Sequence, residues 1–289
     1  MLNKLKRLKR RIKQALASGN GVQGMQQIAL ANQYRQMKAS GMAKLNLQDV
    51  GFRCYSQHEE DGILWYIFSL IGTQSKICVE ICCGDGIECN TSNLLRNHKW
   101  HGLLIDGSEK LIEIAKTSFA ECQDTKFWPP KLVNTWITAE KVNGLISDSG
   151  ISGDIDLLSL DMDGIDYWVW QNITCVSPRV VILEFNHLWG SEKAMTVPND
   201  PEFRPIFTKY GSDYSGASLK AFVDLARTKG YRFIGTNALC TNAIFLLDSI
   251  VEDWLPEEEL EKWFEHPRAK FGMEIRFPEV KDKPWQDVS

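Results

Sequence analysis

The chain has 289 residues, of which 44% are hydrophobic and 24% are charged. This length accommodates one large domain with extensions, and the composition excludes a disordered or fibrous chain. No apolar run approaches the roughly 18 residues that a membrane-spanning helix needs, and the basic N-terminus lacks the apolar stretch of a signal peptide.

Eight cysteines are present, most of them inside apolar, strand-like runs. They show no CxxC spacing and no paired second cluster, which disulfide frameworks and zinc sites usually have. The sequence therefore predicts reduced thiols in a cytoplasmic protein.

The charge is unevenly distributed. Residues 1–48 contain ten Lys or Arg and no acidic residue, so the other 241 residues carry 23 basic and 37 acidic side chains. Within residues 1–16, leucine and isoleucine recur at helical spacing between the basic residues. This pattern indicates either a basic amphipathic helix on an anionic membrane surface, at the inner face of the membrane, or a solvated helix docked on its own domain or on a second subunit of a homodimer. The acidic remainder disfavours nucleic acid as a partner.

The hydrophobic pattern divides the chain into a basic helical arm (residues 1–50), a central domain (51–250) and an acidic helix with a C-terminal tail (251–289). In the central domain, short apolar runs alternate with segments of helical period. The predicted strands are Ile77–Ile81, Gly102–Ile105, Leu132–Ile137, Ile155–Leu160 and Val180–Phe185. Such alternation predicts a doubly wound, mostly parallel α/β sheet flanked by helices.

The end of this domain differs. After a predicted helix at Ala217–Lys229, the strands Tyr231–Gly235 and Ala243–Leu247 are separated by a connector too short for a helix. The sequence therefore predicts a Rossmann-like sheet that closes with a C-terminal antiparallel β-hairpin. An additional acidic helix is predicted at Glu257–His266.

A glycine-rich turn, Cys82-Cys83-Gly84-Asp85-Gly86, follows the first predicted strand. The G-x-G-x-x-G dinucleotide fingerprint fails in both registers, and no P-loop Lys-Ser/Thr is present. Glu80 lies in the strand beneath the turn, where it could order the turn or meet a cationic ligand. Asp106 ends the second strand, where a carboxylate can accept both hydroxyls of a ribose. This arrangement favours a ligand with a ribose and positive charge.

Three segments carry a family resemblance: Glu80 to Gly86, Leu103 to Gly107, and Asp156 to Asp161. They resemble successive motifs of class I S-adenosylmethionine (SAM)-dependent methyltransferases. Ser56-Gln57 with Glu60-Asp61-Gly62, Trp136 to Glu140, and Asp161-x-Asp163-Gly164 further resemble FkbM-like O-methyltransferases. The resemblance covers roughly residues 55–248.

The resemblance implies SAM as the cofactor and a role for each matching residue. The implied cofactor-binding residues are Glu80, Gly84, Asp85 and Gly86 at the methionine end, Asp106 at the ribose, Gly107 at the adenosine edge, Thr138 and Ala139 at the adenine, and Asp161. Cys82 stands where the family has its first loop glycine, which predicts a narrower pocket near the methionine moiety.

Acidic and amide side chains follow the fourth and fifth predicted strands. Because neighbouring parallel strands end at the same edge, Asp161, Glu184 and Asn186 form a candidate metal site for Mg²⁺ or Mn²⁺. By analogy with metal-dependent sugar O-methyltransferases, Asp161 binds the metal and Asp163 is the catalytic base. His187 is a second candidate base, and turn-ordering or helix-capping roles are the alternative for Asp163 and Asp166.

The first interpretation is therefore a SAM-dependent O-methyltransferase that acts on a sugar or glycan-type hydroxyl. A non-catalytic methyltransferase-like binding or scaffold domain is the alternative, kept open by Cys82. A nicotinamide-dependent oxidoreductase is disfavoured by the missing third glycine.

Overall fold

The computed structural model describes residues 24–289, and the predicted amphipathic helix of residues 1–16 lies outside this range. The strands are β1 (Ile77–Ile81), β2 (His101–Asp106), β3 (Lys131–Asn134), β4 (Gly153–Leu160), β5 (Val176–Glu184), β6 (Met195–Thr196), β7 (Ile206–Thr208), β8 (Gly211–Tyr214), β9 (Tyr231–Thr236), β10 (Asn242–Leu247) and β11 (Gln286–Asp287). The helices are α1 (24–39), α2 (Glu60–Ile71), α3 (Ser92–Asn97), α4 (Glu109–Glu121), α5 (Val142–Asp148), α6 (Asp166–Asn172), α7 (Leu219–Thr228) and α8 (Pro267–Phe271).

Seven strands form one sheet in the order β3-β2-β1-β4-β5-β10-β9. Strands β1 to β5 are parallel to their neighbours, whereas β10 is antiparallel to both β5 and β9. The predicted fold class is therefore confirmed, including the antiparallel hairpin at the end. The strand order reverses between β1 and β4, and ligands of open α/β sheets bind beyond the carboxyl ends of the strands at such a point.

Helices cover both faces of the sheet. The apolar side chains of α1 to α4 pack on one face, with Ile63, Leu94 and Phe119 fully buried. Those of α5 to α7 pack on the other, around Trp170 and Phe222. Two core layers on a central sheet explain the continuous apolar character of β1 and β4, which are buried on both sides. No helix within residues 24–289 is long and apolar enough to cross a membrane.

The Asp156 side chain links the amino-terminal ends of three neighbouring strands, β1, β4 and β5, by hydrogen bonds. Its buried carboxylate accepts hydrogen bonds from the backbone N–H groups of Gln74, Ser75 and Lys76, at 2.7–2.9 Å. The Arg179 guanidinium of β5 donates to the same carboxylate at 2.8 Å and to the carbonyl of Gly72. This residue of the Asp156–Asp161 motif is therefore structural.

Two predicted elements differ from the structure. The third strand ends at Asn134 rather than Ile137, because the chain turns to place the Trp136 indole against another segment. The predicted acidic helix Glu257–His266 is wrong: only a 3₁₀ turn, Glu261–Glu265, forms there. The following Pro267 disfavours helical backbone at His266.

Residues 195–214 add small strands that the sequence analysis did not predict. β7 pairs with β8, and β6 pairs with β11 of the C-terminal tail. The tail thereby returns to the sheet edge where the carboxyl ends of β4 and β5 lie.

Candidate functional site

Glu80 orders the return of the glycine turn to α3. Its buried carboxylate accepts hydrogen bonds from the backbone N–H groups of Asn90 (2.8 Å) and Thr91 (2.9 Å), and from the Thr91 hydroxyl. Of the two roles that the sequence allowed, the structure places Glu80 in the first, beneath the loop.

Three residues of the glycine-rich turn have backbone φ angles in the left-handed region. Cys82, Gly84 and Gly86 have φ angles of 63°, 57° and 62°, a conformation that favours glycine. A Cβ on Gly84 would project into open space, whereas one on Gly86 would lie 2.9 Å from the Phe119 ring. Gly84 thus leaves room for a ligand, and Gly86 lets the loop pack against α4.

Asp106 joins the end of β2 to this loop. Its Oδ2 accepts a hydrogen bond from the Gly84 N–H at 2.9 Å, and its Oδ1 accepts one from the Ser108 N–H at 2.7 Å. Each carboxylate oxygen keeps a second lone pair, so the carboxylate can still accept hydroxyl hydrogens. The nearby Asp85 carboxylate accepts from the N–H groups of Ile87 and Glu88 and stabilises the loop's outer turn.

A small cavity of about 60 Å³ lies beyond the end of β2, next to Gly107. It is lined by Cys82, Gly107, Trp136, Ile137, Met162, Asp163 and residues of the segment 200–205. A Cβ on Gly107 would lie 3.0 Å from the Trp136 ring, so glycine permits the indole to approach. Thr138 and Ala139, the predicted adenine contacts, are buried and do not line this cavity.

The segment 200–205 covers the cavity from outside. The Trp136 Nε1–H donates to the Pro201 carbonyl at 2.8 Å, and the Arg204 guanidinium lies 3.9 Å above the Trp136 ring. Ligand cavities of small-molecule sites usually measure roughly 300–1,000 Å³. The cavity beneath this segment is smaller than that range.

Two carboxyl groups meet where β4 and β5 end. Asp161 and Glu184 share a hydrogen bond, which requires one of them to be protonated. Desolvation by the surrounding protein raises the pKa of Asp161 to about 7, and nearby Asp166 and Asp163 add to this effect. Desolvation and the Asp161 charge raise the pKa of Glu184 well above its usual range. Both shifts favour the protonated, neutral forms of these carboxyl groups.

Asp163 and Asp166 have separate roles in the turn after β4. Asp166 accepts from the backbone N–H groups of Met162 (2.8 Å) and Gly164 (3.0 Å) and so orders the turn. Asp163 has a left-handed φ of 50° and accepts a hydrogen bond of 2.6 Å from the Ser212 hydroxyl. Of these two residues, only Asp163 lines the cavity of about 60 Å³ next to Gly107.

Asn186 does not fit the predicted metal-ligand set. Its Oδ1 accepts from the Leu188 N–H, and its amide nitrogen donates to the carbonyls of Asp213 and Ser215, all at 3.0 Å. Within residues 24–289, no group of three or more His, Cys, Asp or Glu side chains is placed to hold a metal ion. Of the predicted ligands, only Asp161 and Glu184 come together.

His187 is buried beneath Gly272, where a Cβ would lie 2.4 Å from its Nε2. Burial, together with Arg276 and Arg268, lowers the pKa of His187 to about 3. The imidazole lines a different cavity from the one next to Gly107. This placement favours a structural role over the predicted role as a base.

Sequence reasoning missed several residues at the site. Trp136 and Ile137 belong to a motif that was recognised, but no contact with this cavity was predicted for either residue. Phe203 lies in a loop and Ser212 in the short strand β8, and no sequence signal placed either residue at the sheet edge.

No protein-family model and no curated protein matches this chain. Among solved structures, it is similar to the N-terminal domain of EvdMO1 with S-adenosylhomocysteine (SAH) bound. The identity is 11% and the TM-score 0.44, over 75% of this chain and 94% of that one. It is similar to an O-methyltransferase from Bacillus cereus in complex with SAH, at 12% identity and a TM-score of 0.42, over 75% and 89%. It is also similar to the CurJ carbon methyltransferase, at 14% identity and a TM-score of 0.40, over 66% of this chain and 55% of CurJ.

Proposed function

We propose that this protein is a SAM-dependent O-methyltransferase that methylates a hydroxyl group of a sugar or glycan-type acceptor. One observation carries the proposal: the Asp106 carboxylate binds the Gly84 N–H of a left-handed glycine loop at the switch point of the sheet. This junction offers a ribose-binding carboxylate beside a loop that leaves backbone space for a ligand.

Asp163 is the residue best placed to act as general base. It lines the cavity next to Gly107 and is held by Ser212, which lines the neighbouring cavity. When bound, SAM supplies an electrophilic methyl group on a sulfonium centre. Asp163 would accept the proton of the acceptor hydroxyl as its oxygen bonds to the methyl carbon, while the carbon–sulfur bond breaks and the cofactor leaves as S-adenosylhomocysteine.

Metal assistance was part of the prediction, but the ligand set does not fit. The Asn186 amide is fully engaged by backbone groups, and Asp161 shares a proton with Glu184. The proposed mechanism therefore uses no step through Mg²⁺ or Mn²⁺.

The first test is calorimetric titration with S-adenosylhomocysteine (SAH), with and without Mg²⁺, and with NAD as the comparison ligand. We expect micromolar SAH binding that Asp106→Ala abolishes and that Asp124→Ala, a surface carboxylate paired with Lys99, leaves unchanged. NAD binding instead of SAH would contradict the proposal.

A non-catalytic scaffold is the second candidate function. It is favoured by the small volume of the closed cavity and by Cys82, whose side chain lines it. The same titration separates the two, because the scaffold predicts no SAH binding to a folded protein.

For residues 1–16 we propose peripheral contact with an anionic membrane surface, which would place the protein at the cytoplasmic face. The support is the spacing of apolar residues between basic ones. Flotation with vesicles that contain anionic lipid tests it: removal of residues 1–16 should abolish flotation without changing SAH affinity.

A further inference from the structure

A second cavity, of about 140 Å³, lies at the carboxyl end of β5. Glu184 lines it from the sheet, and Tyr210 and Ser212 line it from the hairpin β7–β8. The Ser212 hydroxyl donates to Asp163, which faces the first cavity. The Asp163–Ser212 hydrogen bond therefore forms the partition between the two cavities. A methyl group transferred from the first cavity to the second would have to pass this partition.

Two arginines from the C-terminal part of the chain face this cavity, Arg268 of α8 and Arg276. Arg276 is fixed by the fully buried Asp213, which accepts from its Nε at 2.7 Å and from its Nη2. No residue in the described range accepts a hydrogen bond from the Arg276 Nη1.

Arg268 has no carboxylate partner within residues 24–289. Its closest hydrogen-bond acceptor is the Leu239 carbonyl, at 3.5 Å from Nη1. Partial burial and the charge of Arg276 lower the pKa of Arg268, whereas Glu184 raises it.

Two guanidinium groups therefore face the same cavity, and within residues 24–289 only that of Arg276 is paired with a carboxylate. A partly desolvated guanidinium without an anion is unfavourable, and it is stabilised when a carboxylate or phosphate binds it.

We propose that this cavity binds an anionic group, a carboxylate or a phosphate, of the molecule that accepts the methyl group. The proposal rests on the proposed methyltransferase function. Arg268 makes the main contact through its planar donors, and Arg276 adds its Nη1 while Asp213 holds it in place. The anion anchors the acceptor with a hydroxyl at the partition, beside Asp163.

The test is a titration of the full-length, ¹⁵N-labelled protein with inorganic phosphate and, separately, with acetate, at constant ionic strength. The readout is the chemical shift of arginine Nε–H signals. We expect saturable shifts, with a dissociation constant that rises at least tenfold in Arg268→Gln and less in Arg268→Lys, which keeps the charge. Arg227→Gln, an exposed arginine of α7 paired with Glu257, is the matched control and should bind as the wild type does.

The anion that binds more tightly identifies the group on the acceptor. Non-saturable shifts with both anions overturn the inference, as does equal affinity of Arg268→Gln and wild type, provided that thermal unfolding shows the variant to be folded. SAH titration of the same samples separates this outcome from the proposed function. SAH binding without anion binding overturns the anion site alone, whereas anion binding without SAH binding overturns both the methyltransferase proposal and the assignment to an acceptor.

Discussion

Cys82 combines a side chain with a backbone conformation that favours glycine. Its φ of 63° costs a non-glycine residue roughly 1–2 kcal/mol. Desolvation, then the charges of Asp166 and Asp106, raise the pKa of its thiol well above its usual range, so the side chain is a neutral group that occupies cavity space. The loop therefore adopts at Cys82 a backbone conformation that favours glycine.

Replacement of this residue by glycine tests whether the thiol restricts the cofactor site. We expect Cys82→Gly to bind SAH several-fold more tightly, because the cavity widens. The free energy of unfolding should change by no more than about 1 kcal/mol, since relief of strain offsets lost packing. Calorimetry and urea denaturation measure both quantities. Cys122→Ala, on a partly exposed cysteine beyond α4, is the control, and weaker SAH binding by Cys82→Gly would refute the expectation.

Asp163 is expected to affect turnover and not cofactor affinity. General-base catalysis contributes typically 10²–10⁴-fold to a rate, so Asp163→Asn should lower kcat by a factor in that range. The SAH dissociation constant should stay within about twofold, because Asp106 and the glycine loop remain intact. The measurement uses any acceptor that the wild type methylates. Full activity of Asp163→Asn would show that another residue is the general base.

At the scale of the elements, Asp156 and Arg179 tie the loop before β1 to β4 and β5. Breaking a buried ion pair by removing one partner usually costs about 3–5 kcal/mol. We therefore expect Asp156→Ala to lose at least this much free energy of unfolding, because three backbone N–H groups lose their acceptor as well. Asp154→Ala, on an exposed position of the same strand, should change it by less than about 0.5 kcal/mol. Urea denaturation of both variants measures these changes in the free energy of unfolding.

Local pattern predicted the strands that are buried on both faces of the sheet. β1 was predicted with its observed bounds, and β2 to within one residue at each end, because buried parallel strands read as continuous apolar runs. The acidic helix at Glu257–His266 failed because proline at 267 overrides a favourable helical composition.

The candidate site was predictable only in part, for a related reason. Gly84 follows β1 and Asp106 ends β2, so their contact follows from the parallel topology. Arg268 and Arg276 reach the site because the tail folds back along the sheet edge, with β11 paired to β6. Contacts between distant irregular segments leave no periodic signal.

At the scale of the whole molecule, α1 is part of the packed domain. The Gln27 side chain both donates a hydrogen bond to the Asn93 side chain and accepts one from it. The backbone carbonyl of Gln27 accepts a hydrogen bond from the Trp65 Nε1–H at 2.6 Å. Lys38 forms an ion pair of 2.5 Å with Glu252, far along the chain. Residues 24–39 therefore do not form a separate arm, and any independent amphipathic segment is confined to residues 1–23.

His98 makes this docking sensitive to pH. Its ring stacks on Trp65 with centroids 3.7 Å apart, and its Nε2 lies 2.5 Å from the Gln27 Oε1. Burial, then Lys76 and Lys99, lower the pKa of His98 from 6.5 to about 4. The unfolded chain therefore takes up a proton more readily than the folded one. The stabilisation is present above pH 6.5 and is lost as the pH falls from 6.5 through 4.

We expect the free energy of unfolding to fall by up to about 3 kcal/mol over this range through His98 alone, at about 1.4 kcal/mol per pKa unit. Urea denaturation at intervals between pH 8 and pH 4 measures the slope. His98→Gln, which cannot be protonated, should give a shallower slope, whereas His58→Gln, at a partly exposed loop position, should keep that of the wild type. Some slope remains in His98→Gln, because burial also lowers the pKa of His187 and of His101. Parallel curves for His98→Gln and the wild type would show that α1 is held to the domain by packing and neutral hydrogen bonds without any contribution from this titration.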